Sequence, residues 1–209
     1  MAKRIINNYE HISIDPQMLD GPVNFAHIFG RGGPIHIEIG SGKGTFLLSQ
    51  GRARPGINFL GIEYANKYYR YAVDRIGRWS IENVRIIRTE AADFLTKHIA
   101  DGSVNWFHIY FPDPWPKKRH HKRRFICKAN MEQMLRALAE NGVINIATDH
   151  SDYFDQIKVV VANVSDKTER IDFTPTAGAD GPEAAGTNFE RKYINQGRQI
   201  YTIAVRKRP

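Results

Sequence analysis

The chain has 209 residues, of which 42% are hydrophobic and 25% charged, a composition that excludes a disordered or fibrous protein. Thirty Lys and Arg residues against 22 Asp and Glu residues leave a net charge of +8, which favours a polyanionic partner, nucleic acid before an anionic membrane. The single cysteine, Cys127, excludes an internal disulfide, and no run approaches the roughly 20 apolar residues of a membrane span. Since the N-terminus also lacks the apolar core of a signal peptide, we expect a cytoplasmic protein.

Short apolar runs alternate with helical patterns from Pro34 onward. The predicted strands are Ile35–Ile39, Asn58–Glu63, Val84–Arg88, Val104–Phe111 and Gly142–Thr148. The helices predicted after them are Thr45–Gln50, Ala65–Arg78, Ala91–Ile99, Asn130–Ala139 and Tyr153–Asn163. Two later strands, at Glu169–Phe173 and Gln199–Arg206, flank a loop rich in Gly, Ala and Pro at Pro175–Gly186.

Five strand–helix units followed by a terminal strand pair predict one α/β domain with a doubly wound sheet. We expect seven strands, mostly parallel, with an antiparallel terminal strand. The domain is predicted to span residues 34–209, preceded by an N-terminal extension at residues 1–33.

A glycine-rich turn, Gly40-Ser41-Gly42-Lys43-Gly44, follows the first predicted strand, where the backbone of a doubly wound sheet approaches its ligand. A phosphate-binding P-loop needs Gly at position 37 and Ser or Thr at position 44, where this chain has Ile37 and Gly44. The dinucleotide fingerprint also fails, because its last glycine would fall on Thr45. A purely structural turn remains the simpler alternative.

Three glutamates lie at or near the ends of the first three predicted strands: Glu38, Glu63 and Glu90. Carboxylates would repel a pyrophosphate, but they suit a cofactor that carries hydroxyls and a cationic amine. Glu63 is placed to accept hydrogen bonds from ribose hydroxyls, and Glu90 lies where an adenine edge is expected. This arrangement is typical of an S-adenosylmethionine site.

The fourth predicted strand runs into Pro112-Asp113-Pro114-Trp115-Pro116, and then into a segment, Lys117 to Arg124, with six Lys or Arg among its eight residues. This proline-rich and basic loop resembles the signature of the tRNA (guanine-N7-)-methyltransferases, of the bacterial type that acts without an obligatory protein partner. The resemblance covers nearly the whole domain. It includes Glu38 to Gly44, Gly61-Ile62-Glu63, Ala147-Thr148-Asp149 with Tyr153, and Thr187-Asn188-Phe189-Glu190 followed by Gly197 and Ile200.

The resemblance implies a Rossmann-like methyltransferase sheet and a role for each matching residue. The S-adenosylmethionine site would comprise Glu38, Gly40, Gly42, Glu63, Glu90 and Asp113, with Asp113 also assigned to catalysis. The substrate guanosine in the tRNA variable loop would be held by Lys117, Asp149, Thr187, Asn188, Phe189 and Glu190. Two features depart from the family: Asp is usual at the position of Glu90, and the loop before Thr187 is unusually rich in Gly and Ala. A monomer or homodimer is expected.

The basic segment is expected to contact the tRNA backbone through Lys118, Arg119, Lys122, Arg123 and Arg124. Trp115 would stack on a base. The alternatives are that the charges form a solvated face and that Trp115 packs the loop. Adjacent His120 and His121, with no third ligand at metal spacing, predict no metal site.

Methylation of guanine N7 makes modest demands on an enzyme, because this nitrogen carries an in-plane lone pair and no proton at neutral pH. No general base is required, so alignment and nearby negative charge are enough. Asp113 could act by positioning or by electrostatics, and Asp149 supplies a second acid at the same sheet edge. Two other interpretations stay open: an RNA-binding module that keeps the fold without turnover, and a nucleotide-dependent dehydrogenase.

Overall fold

The computed structural model describes residues 5–181 and 183–209, and within them eight strands form one sheet. The strands are β1 (Ser13–Ile14), β2 (Ile35–Ile39), β3 (Asn58–Ile62), β4 (Val84–Ile87), β5 (Val104–Tyr110), β6 (Leu138–Thr148), β7 (Thr168–Ile171) and β8 (Tyr201–Lys207). The helices are α1 (Phe25–Phe29), α2 (Thr45–Ala53), α3 (Asn66–Arg78), α4 (Ala91–His98), α5 (Lys128–Ala137), α6 (Ser151–Ala162) and α7 (Asn188–Asn195), with 3-10 helices at Pro16–Met18 and Lys118–Arg123. Across the described ranges, no helix is both long enough and apolar enough to cross a bilayer.

The strands lie in the order β1-β4-β3-β2-β5-β6-β8-β7. Neighbouring strands are parallel except at β8, which runs antiparallel to both β6 and β7. The predicted doubly wound sheet with an antiparallel terminal strand is therefore confirmed. All seven predicted strands are present, and Ser13–Ile14 adds an eighth by pairing with the edge of β4. Two residues are too few to show a strand pattern in sequence.

The central strand, β2, determines where a ligand can bind. From β2 the chain proceeds to β3 and β4 on one side, and then to β5 and β6 on the other. Ligands of doubly wound sheets bind at the carboxyl ends of the strands where this direction reverses. All residues of β2 and β3 are buried, as expected for parallel strands covered on both faces. The fold therefore places the site beyond Ile39 and Tyr110.

Side chains on alternate strand positions enter two separate core layers. Phe59 packs with Phe46 of α2 and Ile76 of α3 on one face of the sheet. The next residue, Leu60, joins the larger layer on the other face, which includes Met134 of α5.

The segment before β2 packs against the sheet as well. Ile12 is wholly buried in the α2–α3 layer, whereas Val23 and Phe29 join the opposite layer. The backbone N–H of Asn7 donates to Oδ1 of Asp74 on α3 at 3.0 Å. The described part of the N-terminal segment, residues 5–33, thus contributes side chains to both core layers.

A chain of buried polar side chains lies in the α2–α3 layer. Nδ1 of His36 on β2 is 3.1 Å from Nε2 of His108 on β5, and Nδ1 of His108 is 2.8 Å from the hydroxyl of Tyr110. The ring of Phe46 covers His108 at a centroid distance of 4.6 Å. Burial, assisted by the positive charge of Arg54, lowers the pKa of His36 to about 4. Burial also lowers the pKa of His108 well below its usual range, so both imidazoles are neutral at pH 7.

These neutral histidines predict a loss of stability in acid. The pKa of His36 is about 4 in the folded chain against 6.5 for the ordinary side chain, so its contribution is complete above pH 6.5 and is lost as the pH falls towards 4. By linkage, His36 alone accounts for about 3 kcal/mol of unfolding free energy over that interval. Urea unfolding at pH 7 and pH 4 measures the loss. The double variant His36→Phe/His108→Phe should lose clearly less, and an equal loss in both proteins would contradict the assignment.

Candidate active site

A cavity of about 280 Å³ opens at the carboxyl ends of β2 and β5, between the glycine turn and the start of α7. Six of the residues that sequence analysis predicted lie in its wall: Glu38, Gly40, Gly42, Thr187, Asn188 and Phe189. The remaining lining residues were not predicted: Ser41, Lys43, Thr45, Phe46, Tyr68, Tyr110 and Lys192. The fold therefore brings two motifs that are far apart in sequence onto opposite sides of one cavity.

The glycine turn is bonded to the end of β3. The backbone N–H groups of Gly40 and Ser41 both donate to the carbonyl of Ile62, at 2.8 and 3.1 Å. Gly44, the N-cap residue before α2, has a φ of 68°, in the left-handed region that favours glycine. A Cβ atom on Gly44 would also lie only 3.0 Å from Cβ of Ala72 on α3. Close packing and backbone conformation together require glycine at this position.

The carboxylate of Glu63 joins the end of β3 to the same turn. Its Oε2 accepts the N–H of Gly42 at 2.7 Å, and its Oε1 accepts the N–H of Ala65 at 2.7 Å. The residue is 8% exposed. Two backbone bonds therefore hold this predicted cofactor ligand rigidly beside the cavity wall.

Glu38 contributes a buried carboxylate to the cavity wall. The residue is 4% exposed, and its Oε2 has no hydrogen-bond partner among the described residues. Burial raises the pKa of Glu38 well above its ordinary value, and the nearby charge of Glu63 raises it further. An unpaired buried carboxyl oxygen is costly unless a donor or a cation reaches it. Glu38 is therefore suited to a ligand that carries a positively charged hydrogen-bond donor.

Glu90 lies apart from the residues that line the cavity. Its two carboxylate oxygens accept the N–H groups of Ala92 and Asp93, at 3.1 and 2.7 Å, and so cap the N-terminus of α4. This bonding gives the acid after β4 a structural role that does not depend on a ligand. The contact with the cofactor implied by the family resemblance stays a prediction.

Asp113 and Asp149, predicted after β5 and β6, both influence Tyr193 of α7. Asp113 is exposed, whereas the carboxylate of Asp149 is 12% exposed and bonds Arg198 at 2.6 Å. The Arg198 guanidinium lies 4.6 Å from the centroid of the Tyr193 ring. Burial raises the pKa of Tyr193, and the charges of Asp149 and Asp113 raise it further, against the opposing effect of Arg198. Both carboxylates therefore lie close enough to Tyr193 for their charges to act on it.

The sequence analysis did not predict Tyr193, because this residue lies beyond the motif Thr187-Asn188-Phe189-Glu190. Its ring lies 6.2 Å from that of Phe189 and 5.6 Å from that of Phe111. Phe189 and Tyr193 are four residues apart, which puts them on one face of α7. That spacing was the available signal for an aromatic surface next to the two acids.

Thr187 and Glu190 form a capping arrangement at the start of α7. Oγ1 of Thr187 accepts the N–H of Glu190 at 3.1 Å. The carboxylate of Glu190 accepts the N–H groups of Ala184, Ala185 and Gly186 at 2.5, 2.9 and 2.8 Å, and the residue is wholly buried. In this structure Glu190 holds the loop that precedes α7. The contact with the substrate implied by the family resemblance stays a prediction.

The start of α7 is also tied to the glycine turn. Nδ2 of Asn188 donates to Oγ1 of Thr45 at 2.9 Å, and Nη1 of Arg75 donates to the same oxygen at 2.8 Å. Phe189, next to Asn188, is 48% exposed at the cavity. These bonds fix the position of the predicted substrate segment relative to the predicted cofactor turn.

The basic segment forms an exposed 3-10 helix beside the site. Its exposed basic residues are Lys117, Lys118, Arg119, Lys122 and Arg123. The guanidinium of Arg123 lies 4.9 Å from the Trp115 ring centroid, and the His120 ring meets Trp115 edge-on at 5.9 Å. Trp115 itself is half-buried. It therefore packs within the loop, and its stacking on a base stays a prediction; the charges are exposed to a polyanion.

Arg124 is an exception within this segment. Its side chain is 1% exposed and pairs with Asp152. It also donates to the carbonyl of Pro114 at 2.8 Å and to Oε1 of Gln156 at 2.9 Å, and its guanidinium lies 4.8 Å from the Tyr153 ring centroid. We therefore remove Arg124 from the residues expected to contact phosphates, because its donors are used inside the protein. Its role is to anchor the basic loop to α6.

This difference between neighbouring arginines predicts that the same substitution has a large effect on stability at one position and almost none at the other. Arg124→Ala should lower the free energy of unfolding by about 2–4 kcal/mol, because it leaves buried partners unsatisfied. Arg123→Ala should change it by less than about 0.5 kcal/mol. Urea unfolding of both variants measures the contrast, and equal effects would contradict the assigned roles.

Comparison with known proteins agrees with this geometry. A family model described as "Putative methyltransferase" matches residues 32–203. A tRNA (guanine-N(7)-)-methyltransferase from Streptococcus pneumoniae (strain 70585) is 31% identical over 196 residues, which cover 94% of this chain and 91% of the relative.

Solved structures share the fold at much lower identity. The 30S ribosomal A1408 methyltransferase from an uncultured bacterium matches with a TM-score of 0.57 and 15% identity, over 87% of this chain and 91% of that chain. Haemonchus contortus phosphoethanolamine N-methyltransferase 2, in complex with S-adenosyl-L-methionine, matches with a TM-score of 0.53 and 15% identity, over 87% of this chain and 50% of that chain. These likenesses show the fold. The family match and the curated relative show that the chain belongs to the tRNA (guanine-N7-)-methyltransferase family of methyltransferases.

Proposed function

We propose that this protein transfers the methyl group of S-adenosylmethionine to N7 of a guanine in the variable loop of tRNA. One observation carries the proposal: Asp113 and Asp149 act on Tyr193, whose ring lies 6.2 Å from that of Phe189, and Phe189 lines the same cavity as the unpaired carboxyl oxygen of Glu38. The family and the curated relative support the same reaction.

The residues of the cavity fit S-adenosylmethionine. Glu38 presents a buried acceptor suited to a cation, and Gly40 and Gly42 leave the adjoining backbone without side chains. Each oxygen of Glu63 accepts one backbone bond and keeps a second lone pair, so the carboxylate can still accept from ribose hydroxyls. When bound, the cofactor supplies an electrophilic methyl group on a sulfonium. Contacts from Asp113 and Glu90 are further predictions of the family resemblance.

The residues on the substrate side bind and orient the base instead of removing a proton. Phe189 and Tyr193 offer adjacent ring faces for a purine, and the carboxylates of Asp113 and Asp149 can accept hydrogen bonds from its N–H edge. Methylation at N7 leaves positive charge on the purine. Nearby fixed negative charge therefore stabilises the transition state more than the ground state. Asp113 is assigned this electrostatic and positioning role, and Lys117 is assigned to substrate binding by the family resemblance.

The exposed basic residues from Lys117 to Arg123 supply the contact with the tRNA backbone. They adjoin Asp113 in sequence, so bound phosphates would lie close to the base site. We further propose that the protein needs no obligatory protein partner, acts as a monomer or homodimer, and works in the cytoplasm.

Substitution of Asp113 tests the reaction and the mechanism together. Wild-type protein with labelled S-adenosylmethionine and unmodified tRNA transcript should yield 7-methylguanosine, identified by mass spectrometry of the nucleosides. Asp113→Asn should lower the transfer rate by roughly 100-fold while tRNA affinity is retained, because it removes one fixed charge near the base. Asp166→Asn, at an exposed site between α6 and β7, is the matched control and should leave the rate unchanged.

A different methylated nucleoside would refute the guanine-N7 assignment. Binding of cofactor and tRNA without any transfer would favour the non-catalytic RNA-binding module. A wild-type rate in Asp113→Asn would remove Asp113 from the mechanism.

The salt dependence of tRNA binding tests the basic segment. Lys122→Ala/Arg123→Ala should weaken binding and make the negative slope of log affinity against log salt concentration shallower by about 2. The reason is that binding releases about one counterion for each phosphate contact, and this variant loses two contacts. Lys158→Ala/Lys167→Ala removes two exposed charges from α6 and the turn after it, and should leave the slope unchanged. An unchanged slope in the first variant would place the RNA surface elsewhere.

A further inference from the structure

The buried chain of His36, His108 and Tyr110 ends at the cavity, and none of these residues has a place in the proposed function so far. Tyr110 is 6% exposed, yet it forms part of the cavity wall. The chain therefore connects the interior of the α2–α3 layer to the ligand-binding surface.

The distances and the protonation states show which of the three side chains donates each hydrogen bond. Burial raises the pKa of Tyr110 well above its ordinary value, so the phenol keeps its proton. The Tyr110 hydroxyl lies 2.8 Å from Nδ1 of His108. The side chain of Asn145 on β6 also hydrogen-bonds the phenol oxygen and opposes the rise in its pKa, so Asn145 acts as a donor. A buried hydroxyl proton requires an acceptor, so Tyr110 donates to Nδ1 of His108. A neutral imidazole has one donor and one acceptor nitrogen, so His108 then donates from Nε2 to Nδ1 of His36.

This direction leaves the second lone pair of the Tyr110 oxygen, the one that Asn145 does not use, available to the cavity. Glu38 lies on the same face of the sheet, because it is in register with His108, two residues before Tyr110 on β5. Its Oε2 is also without a partner in the described chain, and its charge acts on Tyr110. The deep wall thus presents two acceptors, a carboxyl oxygen and a phenol oxygen. Such a pair fits a cationic amine.

The other charged groups near the wall are placed differently. Glu63 and Glu190 are engaged with backbone N–H groups, and both are negative neighbours that would favour a cation. Lys43 and Lys192 line the cavity but are exposed at its mouth. Arg54 acts on the histidines from the end of α2. The position facing Glu38 and Tyr110 is therefore the acidic part of the cavity.

We propose that Tyr110, together with Glu38, binds the cationic amine at the methionyl end of S-adenosylmethionine, and that His108 and His36 are positioning residues for its phenol. The inference rests on the proposed function, since it deepens the description of the same cofactor site. It assigns the buried histidine pair a role in ligand selectivity as well as in packing.

Two ligands that differ in the amine test this inference by calorimetry. S-adenosylhomocysteine keeps the amino acid moiety, whereas 5′-methylthioadenosine lacks it. Tyr110→Phe should weaken S-adenosylhomocysteine binding by about tenfold, as for the loss of one hydrogen bond to a charged group, and leave 5′-methylthioadenosine binding unchanged. His108→Leu should have the same effect, because the phenol loses its partner. His108→Asn, whose amide oxygen can replace Nδ1 as the acceptor, should restore most of the affinity.

Tyr153→Phe is the matched control, since Tyr153 is another buried tyrosine whose oxygen accepts a hydrogen bond, from the N–H of Ile126 at 2.9 Å. It should lower the melting temperature without changing the ratio of the two affinities. Equal weakening of both ligands by Tyr110→Phe, or no weakening of either, would overturn the inference and leave the cofactor assignment intact. Wild-type protein that binds both ligands with equal affinity would also overturn the inference and leave the cofactor assignment intact. Wild-type protein that binds neither would refute the proposed function as well.

Discussion

The hydrogen bonds between the glycine turn and the end of β3 are the constraint on which the rest of the site depends. Gly40 and Ser41 share the carbonyl of Ile62, and Gly42 bonds the carboxylate of Glu63. These bonds turn the chain sharply as it leaves the central strand. They therefore decide where α2 begins.

The same turn positions the substrate side of the site through α2. Thr45, the first residue of α2, accepts hydrogen bonds from Asn188 of α7 and Arg75 of α3. Glu190 then fixes the loop before α7 through three backbone N–H groups. The aromatic pair of α7 is thereby held opposite the glycine turn. Because α7 is short, its position is set by these tertiary bonds more than by its own helical stability.

The acidic and basic side chains of the site lie at different depths. Glu38 and Glu63 are buried beside the cavity, whereas the exposed lysines and arginines of the basic segment lie outside it. In the proposed function, this separation lets acids attract a cationic cofactor without repelling RNA, whose phosphates would meet the outer surface. The cost is the burial of Glu38 near Glu63, which raises the pKa of Glu38. A cationic ligand would relieve that cost, so binding and local electrostatics are coupled.

Local pattern was sufficient for most of the fold and for part of the site. Five strand–helix units place Glu38, Gly40 and Gly42 at a predictable edge, because the carboxyl ends of parallel strands meet there. The sequence pattern was insufficient where two adjacent residues of the same amino-acid type have different surroundings in the folded chain. Arg123 is exposed and Arg124 is buried against Asp152, although both end the same basic run. Likewise, the motif containing Glu190 gives no sign that its carboxylate faces inward.

The sequence by itself determined the doubly wound sheet, the position of the glycine turn and the basic character of the loop after β5, since hydrophobic period, glycine spacing and charge are local properties. Only the tertiary structure decided which acids are open to a ligand, which arginine anchors the loop, and that Tyr193 and Tyr110 join the site. Those outcomes depend on burial and hydrogen-bond partners contributed by distant strands and helices, and such partners are defined only once the chain has packed.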